Sequence, residues 1–198
     1  MKLRSAIAFM ALLLLASVVW AADDQATVND NKIFTLALEQ FHKDGGYTVV
    51  NPKTGFSYSF TRDAKELEQV KQRITEFFKS DGARIAKLVD QLFERNKAPA
   101  PLMLRSFPEN GYVIDYDGKY AKYFDKKDGR GWERWRNENP KAHGSTSISL
   151  PAHDPETGLL LIEIGTQWNG LAGRGFLILY KYENGEIKEI KRMETWVS

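Results

Sequence analysis

The stretch Asn169–Gly185, NGLAGRGFLILYKYENG, decides the fold. Its glycines, Gly170, Gly173 and Gly175, follow the pattern G-x-x-G-x-G and run straight into apolar sequence. A dinucleotide loop needs G-x-G-x-x-G between a strand and a helix, so that helix N–H groups meet the pyrophosphate. Here the spacing is reversed. The next segment, FLILYKY, is rich in aromatic and apolar strand formers and ends at the hairpin signal Asn184-Gly185. No G-x-x-x-x-G-K-[ST] occurs anywhere in the chain. The glycines are therefore read as a wide bend between adjacent strands, placed where φ is positive or the backbone is crowded. Nucleotide chemistry is set aside.

Outward from this bend the pattern stays that of strands. Leu159–Gly165, Phe176–Glu183 and Ile187–Val197 form three long runs, and Ser145–Leu150 (STSISL) is a shorter alternating one ended by Pro151. PAHDPETG, from Pro151 to Gly158, has the composition of a loop. Further upstream, GYVIDYDGKYAKYF breaks at Asp117-Gly118, which predicts another hairpin.

The N-terminal half has helical spacing instead. Phe34, Leu38 and Phe41 share one face with Ile33 and Ala37 beside them, with Asp30 or Asn31 as cap and Gly45 as stop. Leu67, Val70, Ile74, Phe77 and Phe78 form a second stripe, preceded by an Asp63/Glu66 capping box. After Ser80-Asp81-Gly82, Ile85, Leu88, Val89, Leu92 and Phe93 form a third. Between the first two helices, YTVVNPKTGFSYSF reads as a hairpin turning on Asn51–Gly55.

Helices first and a meander later predict an α+β domain, with N-terminal helices packed on one face of a curved antiparallel β-sheet. A cone or cup is the shape expected of such a sheet. The outline resembles the cone-shaped folds of the nuclear-transport-factor-like and cystatin-like kinds. The resemblance is architectural; no motif carries it and no residue is carried over from it.

The chain starts as an exported protein does. Lys2 and Arg4 precede an apolar run from Ala6 to Trp20, and Val19 and Ala21 offer the small residues that a signal peptidase reads. Residues 1–21 are expected to be a cleaved signal peptide and residues 22–198 a single domain, working in the periplasm or outside the cell. Two of the 28 bases and none of the 26 acids fall in the signal, so the remainder is formally neutral. Global charge gives no reason to expect nucleic acid as a partner. Cysteine is absent, which excludes disulfides, a thiol nucleophile and thiolate metal sites.

Carboxylates are the open catalytic candidates. Asp115 and Asp117, two apart on a predicted strand, share a face; Glu133 lies between Trp132 and Trp135. Glu163 interrupts an apolar strand on the face of Leu159 and Leu161, where burial raises a carboxyl pKa toward that of a general acid. The plainer readings are a solvated face for the aspartates and an ion pair of Glu163 with Arg174, Lys181 or Arg192. A metal site drawing on His143, His153 and Asp154 matches no compact ligand motif, and a Ser145–His153–Asp154 triad has no G-x-S-x-G elbow. Neither metal nor cofactor is expected.

The densest interaction surface is KYAKYFDKKDGRGWERWR, Lys119–Arg136, with seven bases, three acids and five aromatics. Tyr120, Tyr123, Arg130, Trp132, Arg134 and Trp135, with Trp168, are the candidate partner surface. The alternative is that the tryptophans pin a loop to the sheet. LLLIEI and FLILY are apolar on both faces. Helices on one side leave the other face for a small apolar ligand, a protein partner or a second copy. The expected function is therefore an exported, non-catalytic binding protein using the apolar sheet face and the basic-aromatic surface. A membrane surface or cell-wall polymer is a further partner. The alternative is an envelope-acting hydrolase with carboxylate acid–base chemistry.

Overall fold

A computed structural model describes residues 30–41, 46–57, 64–79 and 82–198. The expected signal peptide, Gly45, Asp63 and the Ser80-Asp81 pair lie outside the described residues. In chain order the elements are helix α1 (30–41), β1 (Tyr47–Val50), α2 (Ala64–Phe78), α3 (Gly82–Arg95), β2 (Tyr112–Ile114), α4 (Gly131–Glu138), β3 (Ala142–Ile148), β4 (Ala152–Asp154), β5 (Leu159–Asn169), β6 (Ala172–Glu183) and β7 (Glu186–Val197). The chain is an α+β protein with one seven-stranded sheet, ordered β2-β1-β3-β5-β6-β7, with β4 also on β5. The sheet is open, with β2 and β7 at its edges.

The sheet is mixed rather than antiparallel. β1 runs parallel to both β2 and β3, while the β3–β5, β4–β5, β5–β6 and β6–β7 pairs are antiparallel. This overturns the expected hairpin after Val50, because both edges of β1 are taken by strands from much later in the chain. Past the Asn51–Gly55 turn the chain crosses the end of β3 instead, where Gly55 N–H donates to Ile148 O at 2.9 Å. The Asp117-Gly118 hairpin is also corrected. The turn forms, with Gly118 at φ +66°, but it leads to a 3-10 turn over Ala121–Phe124 and not to a strand. Pro151–Gly158 is more ordered than a loop: it supplies β4 and a tight turn back to β5. β3 and β4 lie end to end along one edge of β5, Ile148 opposite Ile164 and Ala152 opposite Leu161.

The three long strands are where the sequence put them. Asn184 and Gly185 have φ of +52° and +85°, both positive as a type I′ turn requires. The bend at Asn169–Gly175 is tighter than expected. Asn169 pairs with Ala172, so the turn is Gly170-Leu171 and the other two glycines lie inside β6.

Alternation along β5 and β6 sends side chains into two separate cores. Leu160, Ile162 and Ile164 of β5, with Phe176, Ile178 and Tyr180 of β6, share a cluster with Ile33, Phe34, Ala37 and Leu38 of α1. Leu161, Leu177 and Leu179 share the other cluster with Ile74, Phe78, Ile85, Leu88 and Leu92 of α2 and α3. The expectation of helices on one face, with an apolar face left open, is thus corrected: helical residues meet the long strands on both faces. Arg95, in the last turn of α3, pairs with Asp30 at the start of α1 and donates to Pro151 O, which ties the two layers together.

Between the layers, the glycines of the opening stretch acquire a physical reason. Gly165 and Gly175 sit opposite each other in the β5–β6 ladder. A Cβ on Gly175 would lie 2.1 Å from Trp196 Nε1, and one on Gly173 would lie 2.6 Å from Trp196 Cη2. One on Gly165 would lie 2.0 Å from Ser57 Oγ. The glycines make room for an indole and a serine, not for a phosphate.

Candidate ligand-binding cleft

A cleft of about 810 Å³ opens where α1, α4 and the ends of β3, β5, β6 and β7 meet. That volume is within the usual range for small-molecule sites. Period-2 alternation places its wall. Thr166 of β5 is opposite Arg174 of β6, Phe176 follows on the same face, and Arg192 of β7 is opposite Ile178. The arginines therefore flank Phe176 along one face. The Arg174 guanidinium stands 5.9 Å from the Trp168 ring centroid and 5.6 Å from that of Phe176, and Arg192 stands 5.2 Å from Phe176. Phe41, Trp135, Arg136 and His143 also line it, with Phe41 edge-on to Phe176 at 6.1 Å.

The charged side chains among the cleft's described lining residues, Arg136, Arg174 and Arg192, are all cationic. Among the described residues no carboxylate lines it. Arg192 is paired with Glu189 on its own strand, whereas Arg136 and Arg174 make no ion pair among the described residues. Glu194, opposite Phe176 in the ladder, is exposed and lies outside the lining. Beneath the floor, the Thr146 and Thr166 hydroxyls are 2.7 Å apart and those of Thr48 and Thr146 2.6 Å, a buried polar ladder across three strands. Arg174, a cation stacked on rings with no ion pair among the described residues, suits an anion carried on a flat or apolar body.

Of the residues singled out from sequence, Trp135 and Trp168 line this cleft. Tyr120, Tyr123 and Trp132 instead pack around Trp135, at centroid distances of 5.1, 6.1 and 5.4 Å. Trp135 is 2 % exposed, and its Nε1–H donates to Ala142 O at 3.3 Å. Arg134 donates to Asp128 at 2.8 Å and to Tyr123 O at 2.9 Å, while the Arg130 backbone N–H donates to Asp128 Oδ1. Much of the basic-aromatic block thus folds on itself and anchors α4 to β3. Arg174, Arg192, Phe176, Phe41 and Thr166 were missed. Period 2 marks 174 and 176 as neighbours on one face, but only the ladder brings β7 and α4 to them.

The carboxylates do not assemble. Asp115 lies past the end of β2 rather than on it, and its two oxygens accept from Tyr120 N–H and Ala121 N–H at 3.1 and 2.9 Å. Asp117 is exposed and accepts from Lys119 N–H, and Glu133 is exposed on α4. Glu163 is fully buried and faces away from the cleft. None of its expected arginine or lysine partners reaches it. It accepts instead from Ser57 N–H at 2.9 Å, from Ser57 Oγ–H and, weakly, from Thr195 Oγ1 at 3.4 Å. Trp196 Nε1–H donates to Ser57 Oγ at 2.7 Å. Burial pushes the Glu163 carboxyl up to about 7, and the hydrogen bonds from Ser57 and Thr195 pull it partly back.

The histidines are separated as well. His153 is opposite Leu160 while Ser145 is opposite Gln167, so Ser145 and His153 stand roughly 23 Å apart along β5. The paper triad and the His143–His153 metal pair are both ruled out by this spacing. Asp154 is held by Thr157 and Arg84, which lower its pKa to about 2. Among the described residues no group of three His, Asp or Glu is placed to hold a metal ion.

Comparison with protein-family models, with curated proteins and with solved structures found no match to this chain. Its class is therefore stated from its own geometry: an α+β protein with an open mixed sheet and a cationic, aromatic cleft at one end.

Proposed function

We propose that this is an exported, non-catalytic binding protein whose cleft holds a small molecule with an anionic group and an aromatic or otherwise apolar body. The observation that carries this reading is Arg174, stacked between Trp168 and Phe176 in a cleft whose described lining residues include no carboxylate. An anion there gains charge-assisted hydrogen bonds, and the rings bury its body. In this reading the bent sheet end is the wall of a cup. The register shifts at Gln167/Asn169 and at Gly175/Phe176 lie beside the cleft, where bulges increase local bend and twist. Export to the periplasm or beyond is supported by the basic and apolar N-terminal sequence and by the absence of cysteine.

The enzyme alternative has less support. The carboxylate with the most acid-like pKa, Glu163, is sealed between the sheet and the Phe56–Ser57 segment, and Asp115, Asp117 and Glu133 do not line the cleft. Native mass spectrometry on protein recovered from the producing cell's envelope fraction tests the binding reading. Wild type is expected to carry a small added mass that Arg174→Glu lacks. A mass retained by Arg174→Glu, or a bare wild-type chain, counts against a ligand held in this cleft.

A further inference from the structure

The β5–β6 hairpin ends in a feature that the cleft does not use. Leu171, at the tip of the turn, is 87 % exposed. A leucine held this far into water by a tight two-residue turn contributes nothing to either core. It is not isolated. A Cβ on its neighbour Gly170 would lie 3.8 Å from Trp132 Cδ1, so the tip rests against α4. The Phe124 ring, 41 % exposed, packs edge-on to Trp132 at 4.8 Å. On the other side are Trp168, 39 % exposed, and Val197, 72 % exposed, which is opposite Arg174 in the ladder. Four exposed apolar side chains thus gather at one end of the molecule, brought together from three separate segments.

The segment that carries Phe124 and Trp132 is cationic. Lys119–Arg136 carries seven bases against three acids, while the whole chain has an excess of only two. Lys122, Lys126, Lys127, Arg130 and Arg136 are all exposed. Of the acids, Asp128 is engaged by Arg134, leaving Asp125 and Glu133 in the block, with Glu138 just beyond it bonded to Tyr123 OH. A tip that pairs an exposed leucine and tryptophan with a neighbouring lysine- and arginine-rich segment has the two attractions an anionic bilayer rewards. Its apolar groups enter the headgroup boundary, and its cations meet the negative surface potential. An acidic protein would supply the charge but has no general need for an apolar tip; a neutral bilayer would take the tip but not the lysines.

We infer that the Leu171 tip, with Trp168, Phe124 and the exposed lysines of the Lys119–Arg136 segment, is a docking surface for an anionic phospholipid membrane. Docking in this pose puts Trp168 and Arg174, which line the cleft, at headgroup level. The docking itself does not depend on what the cleft holds.

Co-sedimentation with phosphatidylcholine vesicles, with and without phosphatidylglycerol, tests it. Wild type is expected to sediment with the anionic vesicles alone, and to be released when salt is raised to about 1 M, where charges are screened beyond about 3 Å. Leu171→Asp is expected to weaken binding roughly tenfold, because the tip loses its buried apolar surface. Lys126→Glu with Lys127→Glu is expected to weaken it at least about tenfold through the surface potential. All three residues are exposed, so the melting temperature should not change, and that measurement certifies the fold of each variant. No sedimentation with either vesicle overturns the inference, as does equal sedimentation with both. Unchanged binding by Leu171→Asp overturns it too, since charge alone would then account for the adsorption.

Discussion

Gly175→Ala is expected to destabilise the protein by roughly 3 kcal/mol. For a chain of this size that lowers the melting temperature by roughly 6–12 °C. The added methyl would meet Trp196 Nε1 at 2.1 Å, Trp196 Cδ1 at 2.5 Å and Thr195 Oγ1 at 2.7 Å. The indole cannot step aside without giving up its hydrogen bond to Ser57, and Ser57 in turn is bonded to the buried Glu163. Gly170→Ala is the control. Its methyl would touch only Trp132, at 3.8 Å, an ordinary contact, so a change within about 0.5 kcal/mol is expected. In a Trp196→Ala background the penalty at position 175 should largely disappear, as neighbours in one contact are non-additive. Equal melting of wild type and Gly175→Ala, or an undiminished penalty in the Trp196→Ala background, would contradict the packing described.

Glu163→Gln is expected to stabilise the protein, and only above a defined pH. The carboxyl has a folded pKa of about 7 against an ordinary value of 4.5. The folded state therefore holds its proton more tightly than the unfolded state. The resulting stability is fully present below pH 4.5 and is lost as pH rises through about 7. Above that pH the fold contains a buried carboxylate whose hydrogen bonds among the described residues come from Ser57 and Thr195 and from no cation. Glutamine stays neutral, keeps one oxygen for Ser57 N–H and presents an amide where the acid proton sat. At pH 8 the gain is on the order of 2–3 kcal/mol, or roughly 5–10 °C in melting temperature. At pH 4 the two proteins should melt together. Thermal melts at both pH values check this; a variant less stable than wild type at pH 8 would mean that the hydrogen bonds to the carboxylate outweigh its burial.

These two residues also mark how far the sequence could be read. Glu163 stood out because a lone carboxylate in LLLIEI has to be buried or paired, and its burial was legible. Its partners were not, since Ser57 lies 106 positions away and nothing local marks a serine as a carboxylate's neighbour. Gly173 and Gly175 were legible as crowded backbone, but the crowding group, Trp196, becomes visible only once β7 is laid beside β6.

The long antiparallel strands were legible because hairpins are local: period, turn residues and length all agree within one window. The parallel pairs of β1 were not, because no short-range signal encodes a partner more than sixty residues downstream. Turn chemistry at Asp117-Gly118 was read correctly as a turn and wrongly as a hairpin. The residue that decides the matter is Asp115, whose carboxylate caps the following 3-10 turn. The cleft was half legible: aromatic density pointed to Trp135 and Trp168. The arginines that give it chemistry come from strands on which they look like ordinary solvated residues.

The central claim is that the cleft recognises an anion on an apolar body, and a matched pair of probes tests it most directly. 8-Anilinonaphthalene-1-sulfonate and N-phenyl-1-naphthylamine share one ring framework and differ in the sulfonate. Fluorescence titration of wild type should find the sulfonate bound at least roughly tenfold more tightly than the neutral amine. Arg174→Ala should erase most of that difference while leaving the amine's affinity nearly unchanged. Equal affinity of wild type for the two probes, or a sulfonate preference that survives in Arg174→Ala, would contradict the account.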